Sequence, residues 1–182
     1  DYFKDVSISA ESAYVWDVKN QKALYNKNAG KQLPLASLTK LMTALVASEY
    51  LAEEERVPIT IQALLQEGDS NLATGETFTL QELIDFTLIT ASNDGAYALA
   101  SAAGTVLTSG SDTTRAFIDA MNAKAEEIGL SQSYFSNPTG LDVDGDERQL
   151  RFGAGYGVFD GVFGAQASGN PRRHERSAEY GI

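Results

Sequence analysis

The chain has 182 residues, 43% of them apolar, with a net charge of −11 and a pI near 4.4. That size suits one domain with a real core, and the acidic balance disfavours a phosphate backbone as partner, so nucleic-acid binding is not expected. With no cysteine there is neither a disulfide framework nor a thiolate metal site, and the single histidine, His174, leaves the body of the chain without a base for a Ser-His-Asp triad or ligands for a zinc hydrolase. No apolar run approaches the roughly 20 residues of a membrane span. The chain opens on Asp1 instead of Met, as expected of a processed form that has lost a signal peptide, or of a fragment.

Residues 12–18 and 21–27 alternate in polarity and predict two strands joined at Lys19-Asn20, a hairpin feeding a helix. The helix opens in PLASLTKLMTALVA, residues 34–47, and is expected to run to about Leu51. Pro34 suits a first helical turn, and Ser37 or Thr39 can cap orphan N–H groups. Lys40 fits a capping reading poorly. A helix N-terminus carries partial positive charge, and a capping box would place Glu or Gln three residues after Ser37. Leu38, Leu41, Met42, Ala44, Leu45, Val46 and Ala47 leave no polar face, so the helix is expected to be buried all round, with Lys40 partly desolvated.

Residues 56–80 then predict short extended pieces and turns, punctuated by Gly68 and Gly75. Thr79 and Glu82 have the spacing of a capping box, and Leu83, Ile84, Phe86 and Leu88 supply the apolar stripe of a helix. Ser92 to Gly95 interrupt it before a second helix, Ala96 to Ala103, and residues 112–129 predict an amphipathic helix stopped by Gly129. DVDGDE, residues 142–147, has the composition of a calcium loop but not its spacing: an EF-hand loop starting at Asp142 needs Gly where Glu147 stands and Glu where Gly153 stands. It reads as a solvated acidic turn. The segment 158–182 is foreign to the rest, without a leucine and holding three of the seven arginines, Arg172, Arg173 and Arg176. A shifted reading frame is the expectation there, against the alternative of a flexible glycine-rich tail.

Ser37 and Lys40 are three apart, so on a helix their side-chain tips come within reach of each other. A serine hydroxyl needs a base to become a nucleophile. Lysine serves only when neutral, and from a reference pKa of about 10.4 it must fall by roughly three units to work near pH 7. Burial among apolar neighbours can depress it that far. Ser-x-x-Lys alone is a weak motif; its weight comes from the later helix start ASNDGAYALA, since Ser-x-x-Lys with a Ser-Asp-Asn type motif and Lys-Thr-Gly marks penicillin-binding proteins and class A β-lactamases.

Three blocks in order, PLASLTKLMTALVA, EGDSNLATGETFTLQELIDFTLITASNDGAYALA and FSNPTGLD, closely resemble the low-molecular-mass D-alanyl-D-alanine carboxypeptidases, the S11 family of serine penicillin-binding proteins. The resemblance covers about residues 6–157. It implies an α+β, transpeptidase-like fold of the β-lactamase and penicillin-binding-protein type, with residues 1–157 as a partial domain made of the N-terminal β-hairpin and the helical region, the C-terminal strands missing. It implies Ser37 as acyl-enzyme nucleophile, Lys40 as general base and Asn93 as the substrate-facing asparagine of the family's Ser-x-Asn motif. No metal or cofactor is implied. The substrate would be a peptidoglycan stem peptide ending in D-Ala-D-Ala, β-lactams would be covalent inhibitors, and the site of action would lie outside the cytoplasmic membrane; no membrane anchor is visible.

Two departures stand out. Ala91 occupies the first position of Ser-x-Asn, with Ser92 one residue late, so Ser92 or Thr90 is the candidate replacement for the lost hydroxyl. The Lys-Thr-Gly motif, which in the family lies on a strand that binds the substrate carboxylate, is absent. The leading expectation is a truncated D,D-carboxypeptidase of impaired activity, with a β-lactamase of the same fold and a non-catalytic pseudoenzyme or binding fragment as the rivals.

Overall fold

The computed structural model describes residues 3, 6–68, 70–130 and 132–141; the acidic turn at 142–147, His174 and the segment 158–182 lie outside the described residues. Within them, strands β1 (Ala13–Asp17) and β2 (Lys22–Lys27) form the expected antiparallel hairpin, with a register shift between Val15 and Trp16. Asp17 closes its turn by accepting from the Asn20 backbone N–H at 2.9 Å and side chain at 2.6 Å. Tyr14 and Trp16, two apart and therefore on one face, stack at 6.0 Å. The preceding segment is tied to the hairpin by side chains reaching its carbonyls: Tyr25 donates to Val6, Lys27 to Ile8 and Asn28 to Glu11.

The first helix begins later than its sequence suggests. Ala36–Leu38 form a 3-10 turn, and α1 runs Thr39–Tyr50, because Ala36 sits in the left-handed region at φ 46° and cannot belong to a continuous helix from Pro34. Nor is the apolar run buried all round: Leu38 is 59% exposed, while Met42, Ala44, Val46 and Ala47 are in the core. β3 (Arg56–Pro58) pairs antiparallel with β4 (Thr77–Thr79), the intervening chain carrying a 3-10 turn at Ala63–Leu65. α2 (Leu80–Thr90) opens with the capping box that the spacing predicts: Thr79 Oγ1 accepts from the Glu82 N–H, and the Glu82 carboxylate accepts from the Thr79 N–H.

α3 spans Asn93–Leu107, three residues more at its start than the sequence suggests. Ser92 is its N-cap, accepting from the Gly95 N–H, so Asn93, Asp94 and Gly95 fill the first turn instead of interrupting it; the break shrinks to Ala91, left-handed at φ 56°. α4 (Thr113–Glu127) is capped by Asp112 and followed by Gly129 at φ 79°.

α3 is the centre of the helical body, packing against α1, α2 and α4. Its buried residues are small: Ala96, Ala98, Ala100 and Ala103 beside Leu99. Gly104 lets α4 approach so closely that a Cβ there would collide with the Thr113 carbonyl, and Gly95 does the same for the wholly buried Thr87 of α2. At the far end of the body, Lys124 of α4 bridges Glu49 of α1 at 2.7 Å and Glu127 at 2.6 Å. Burial works against charge on Lys124, but the hydrogen bonds to Glu127 and Glu49 outweigh it and hold the ammonium above the ordinary lysine range.

This packing ranks the cost of substitutions. Gly104→Ala forces a methyl into a backbone carbonyl and is expected to cost about 1–3 kcal/mol or more, whereas Thr79→Ala removes a half-buried cap and costs about 1 kcal/mol; equilibrium urea melts check the order. Among the described residues the hairpin is a two-stranded sheet with Val15 and Val18 exposed, so hydrogen exchange followed by mass spectrometry should find Ala13–Lys27 exchanging well before α3.

Candidate active site

Ser37 lies in the exposed 3-10 turn, and Lys40 lies one turn on, in the first turn of α1. Lys40 is 2% exposed. Its Nζ donates to Ser37 Oγ at 3.1 Å and to the Thr139 carbonyl at 2.7 Å. The i,i+3 spacing survives the change from 3-10 to α geometry, so the amine and the hydroxyl meet. Burial pushes the Lys40 ammonium below its ordinary range. A neutral amine here has a lone pair to accept the Ser37 proton while one N–H still donates to Thr139, which is the geometry a general base needs.

The Thr139 carbonyl is aimed at Lys40 by the loop that carries it. Asn137 is the loop's internal brace: its Oδ1 accepts from the N–H groups of Thr139 at 3.0 Å and Gly140 at 2.6 Å, and its Nδ2 donates to the Leu141 carbonyl at 2.8 Å. With those groups turned inward, the carbonyls of Pro138 and Thr139 are free to face α1, where Thr43 Oγ1 donates to Pro138 at 2.7 Å. Gly140, at φ 78°, sits so close to the turn carrying Ser37 that a Cβ would collide with the Ala36 carbonyl. Behind the loop, Asn122 of α4 pairs with both backbone groups of Phe135, accepting from its N–H and donating to its carbonyl at 2.8 Å each. The roles of Asn137, Thr139 and Gly140, within FSNPTGLD, and of Thr43 on α1 in holding Lys40 have no local sequence signal, since they depend on a contact across 99 residues.

Asn93 and Ser92 are placed differently. Asn93 Nδ2 donates to the Glu67 carbonyl at 2.6 Å, and Ser92, 3% exposed, caps α3 and shares a hydrogen bond of 2.6 Å with Ser70. Among the described residues neither forms a hydrogen bond to Ser37 or Lys40. Thr90 donates its hydroxyl to the Phe86 carbonyl one turn back in α2. Ala91, at the position of the family's motif serine, contributes only a methyl group.

Residues 2–157 match the family model described as D-alanyl-D-alanine carboxypeptidase, peptidase S11. The chain is 34% identical over 147 residues to the D-alanyl-D-alanine carboxypeptidase DacF of Bacillus subtilis, an overlap of 78% of this chain but only 36% of that relative. Among solved structures, the D-alanyl-D-alanine carboxypeptidase DacD of Francisella tularensis superposes with a TM-score of 0.66 at 30% identity, covering 76% of this chain and 33% of DacD. Penicillin-binding protein D2 of Listeria monocytogenes, in its cefotaxime-bound form, superposes with a TM-score of 0.64 at 26% identity, covering 88% of this chain and 64% of its own. The chain thus spans about a third of the length of DacF and DacD, and the part it spans holds the serine–lysine pair and the helical body behind it. With the family model matched along most of its length, the chain belongs to the S11 family of D-alanyl-D-alanine carboxypeptidases.

Proposed function

We propose that this chain carries the acylating half of a serine D-alanyl-D-alanine carboxypeptidase acting on peptidoglycan stem peptides outside the cytoplasmic membrane. The observation that carries the proposal is Lys40, an amine buried between Ser37 Oγ and the Thr139 carbonyl. Ser37 Oγ attacks the carbonyl carbon of the penultimate D-alanine as its proton passes to Lys40 Nζ. Collapse of the tetrahedral intermediate breaks the C–N bond, and the proton held on Lys40 leaves with the amine of the terminal D-alanine. Water then hydrolyses the acyl-Ser37 ester. A β-lactam would enter the same sequence through its ring amide and remain on Ser37, in keeping with the cefotaxime bound by the Listeria relative. Asn93, by its match to the family motif, would face the ligand.

One feature favours a slower or binding-only variant as the second reading. Ala91 offers no hydroxyl, and those of Thr90 and Ser92 are spent on the Phe86 carbonyl and on the α3 cap with Ser70. The 182 residues also contain no Lys-Thr-Gly. By the family resemblance, the neighbourhood of the Lys-Thr-Gly strand also donates one oxyanion-hole N–H, and losing such a donor typically lowers the rate about 100- to 1,000-fold, so acylation by these 182 residues alone should be slow but centred on Ser37. A β-lactamase would be distinguished by rapid loss of the adduct.

Intact-protein mass spectrometry after incubation with benzylpenicillin should find one adduct on the parent chain and none on Ser37→Ala; folded parent protein without an adduct would identify the binding-only variant. Because burial lowers the Lys40 pKa, the neutral base becomes available at lower pH than for a free lysine. The acylation rate should therefore climb with pH and level off below the ordinary lysine value of about 10.4; a rate independent of pH would remove Lys40 from the role of base. Gly140→Ala should separate the loop from Ala36 and shift the Thr139 carbonyl off Lys40, lowering acylation about 100-fold, measured by the same adduct kinetics beside a thermal melt.

A further inference from the structure

Two successive carbonyls of the 137–140 loop face α1, and each is met by a side chain of that helix. Lys40 Nζ donates to Thr139 at 2.7 Å, and Thr43, one turn further on, donates its hydroxyl to Pro138 at 2.7 Å. Thr43 is wholly buried, and its Oγ1 also lies 3.4 Å from the Thr39 carbonyl. A hydroxyl has one proton to give, and the shorter contact assigns it to Pro138. The peptide between Pro138 and Thr139 is thus held at both ends, its carbonyl by Thr43 and its N–H by Asn137 Oδ1 at 3.0 Å.

As an ammonium, Lys40 has three N–H groups. Ser37 Oγ and the Thr139 carbonyl take two of them, and among the described residues the third has no acceptor. The neutral amine keeps its lone pair for Ser37 and one N–H for Thr139. A second carbonyl beside Nζ would complete the set that the charged form needs, and hydrogen bonds to a charged form stabilise it. The acceptor next in the chain is the Pro138 carbonyl, adjacent to the one Lys40 uses and turned to the same helix. Among the described residues no ionisable side chain bonds to Lys40. Glu82 and Asp85 of α2 are exposed and bonded to Thr79 and Gln81, Tyr97 of α3 accepts from Thr114, and Lys124 of α4 is taken by Glu49 and Glu127. Asp94, buried at the start of α3, forms no ion pair with Lys40, whose lowered proton affinity comes from burial alone.

We propose that Thr43 is a positioning residue for Lys40: by taking the Pro138 carbonyl it leaves the amine a single backbone acceptor, and so keeps the side of Nζ that faces Ser37 open to receive the hydroxyl proton. This rests on Lys40 being the base for Ser37. Thr43 does not touch the reacting atoms and acts only through the Pro138–Thr139 peptide.

The test is the pH profile of benzylpenicillin acylation in the full chain, with Thr43→Val to remove the hydroxyl at nearly constant volume and Thr43→Ser to keep it. In Thr43→Val the freed Pro138 carbonyl turns to Lys40 and favours the ammonium. The profile then moves to higher pH, the rate at pH 7 falls about tenfold, and the alkaline plateau stays within about twofold of the parent's. Thr43→Ser should follow the parent. Loosened packing alone would lower the rate by the same factor at every pH, and that result, or a parent-like profile for Thr43→Val, would overturn the proposal. Should Thr43→Val fail to fold, Thr43→Cys, whose thiol is only a weak donor, must show the same displacement. If the folded parent gives no adduct, the acylating function falls, and the Lys40 Cε resonance, assigned by its absence in Lys40→Met, decides by NMR. A titration midpoint raised in Thr43→Val supports the inference, and an unchanged midpoint refutes it.

Discussion

A single buried amine organises this structure. Lys40 is 2% exposed and has two partners, Ser37 Oγ nearby in the chain and the Thr139 carbonyl 99 residues away. An amine that far from water needs hydrogen-bond acceptors, because a polar group left unpaired in the interior costs more than the bond it could make. The loop at 137–140 supplies one, and much else exists to keep it there. Asn137 turns the loop's own N–H groups inward, Thr43 takes the neighbouring carbonyl, Asn122 pins Phe135 to α4, and Gly140 lets the loop close against the Ala36 carbonyl. The same burial that demands these contacts lowers the amine's affinity for a proton.

The second constraint is the narrowness of α3. Its buried face is almost all alanine and glycine, which allows three helices to approach it. Gly95 and Gly104 mark the two closest approaches, one to Thr87 of α2 and one to the start of α4. Small residues bury little apolar area each, and the close packing they allow compensates through contact between neighbouring backbones. A fixed α3 in turn fixes its first turn, where Ser92 and Asn93 meet the loop at Glu67 and Ser70.

The turn that carries Ser37 is strained by comparison. Ala36 is left-handed without being glycine, and such positions cost of order 1–3 kcal/mol and persist where surrounding structure over-determines them. Here the surrounding structure is Gly140 on one side and α1 on the other. Ser37 is held outward in that turn, exposed, while the amine beside it stays buried. A rigid amine beside an accessible hydroxyl is the arrangement that the proposed acylation would use.

Much of this was legible before the coordinates. The alternation of residues 12–27, the Thr79–Glu82 spacing and the Ser37–Lys40 interval are local signals, set by periodicities of two, three and four residues, and the elements they predict are present. Where local reading failed, it failed at boundaries governed by backbone conformation, with Ala36 delaying α1 and the Ser92 cap extending α3 toward its start. The chain's own residues thus determined the hairpin, the helical body, the serine–lysine pair and its family. Only the tertiary structure decided what surrounds that pair. The partner that holds Lys40 is a backbone carbonyl, and the one that holds the Asn93 amide is another. Every residue carries a carbonyl, so no pattern in the sequence distinguishes the ones that matter; the fold selects them by bringing distant loops within 3 Å of a side chain.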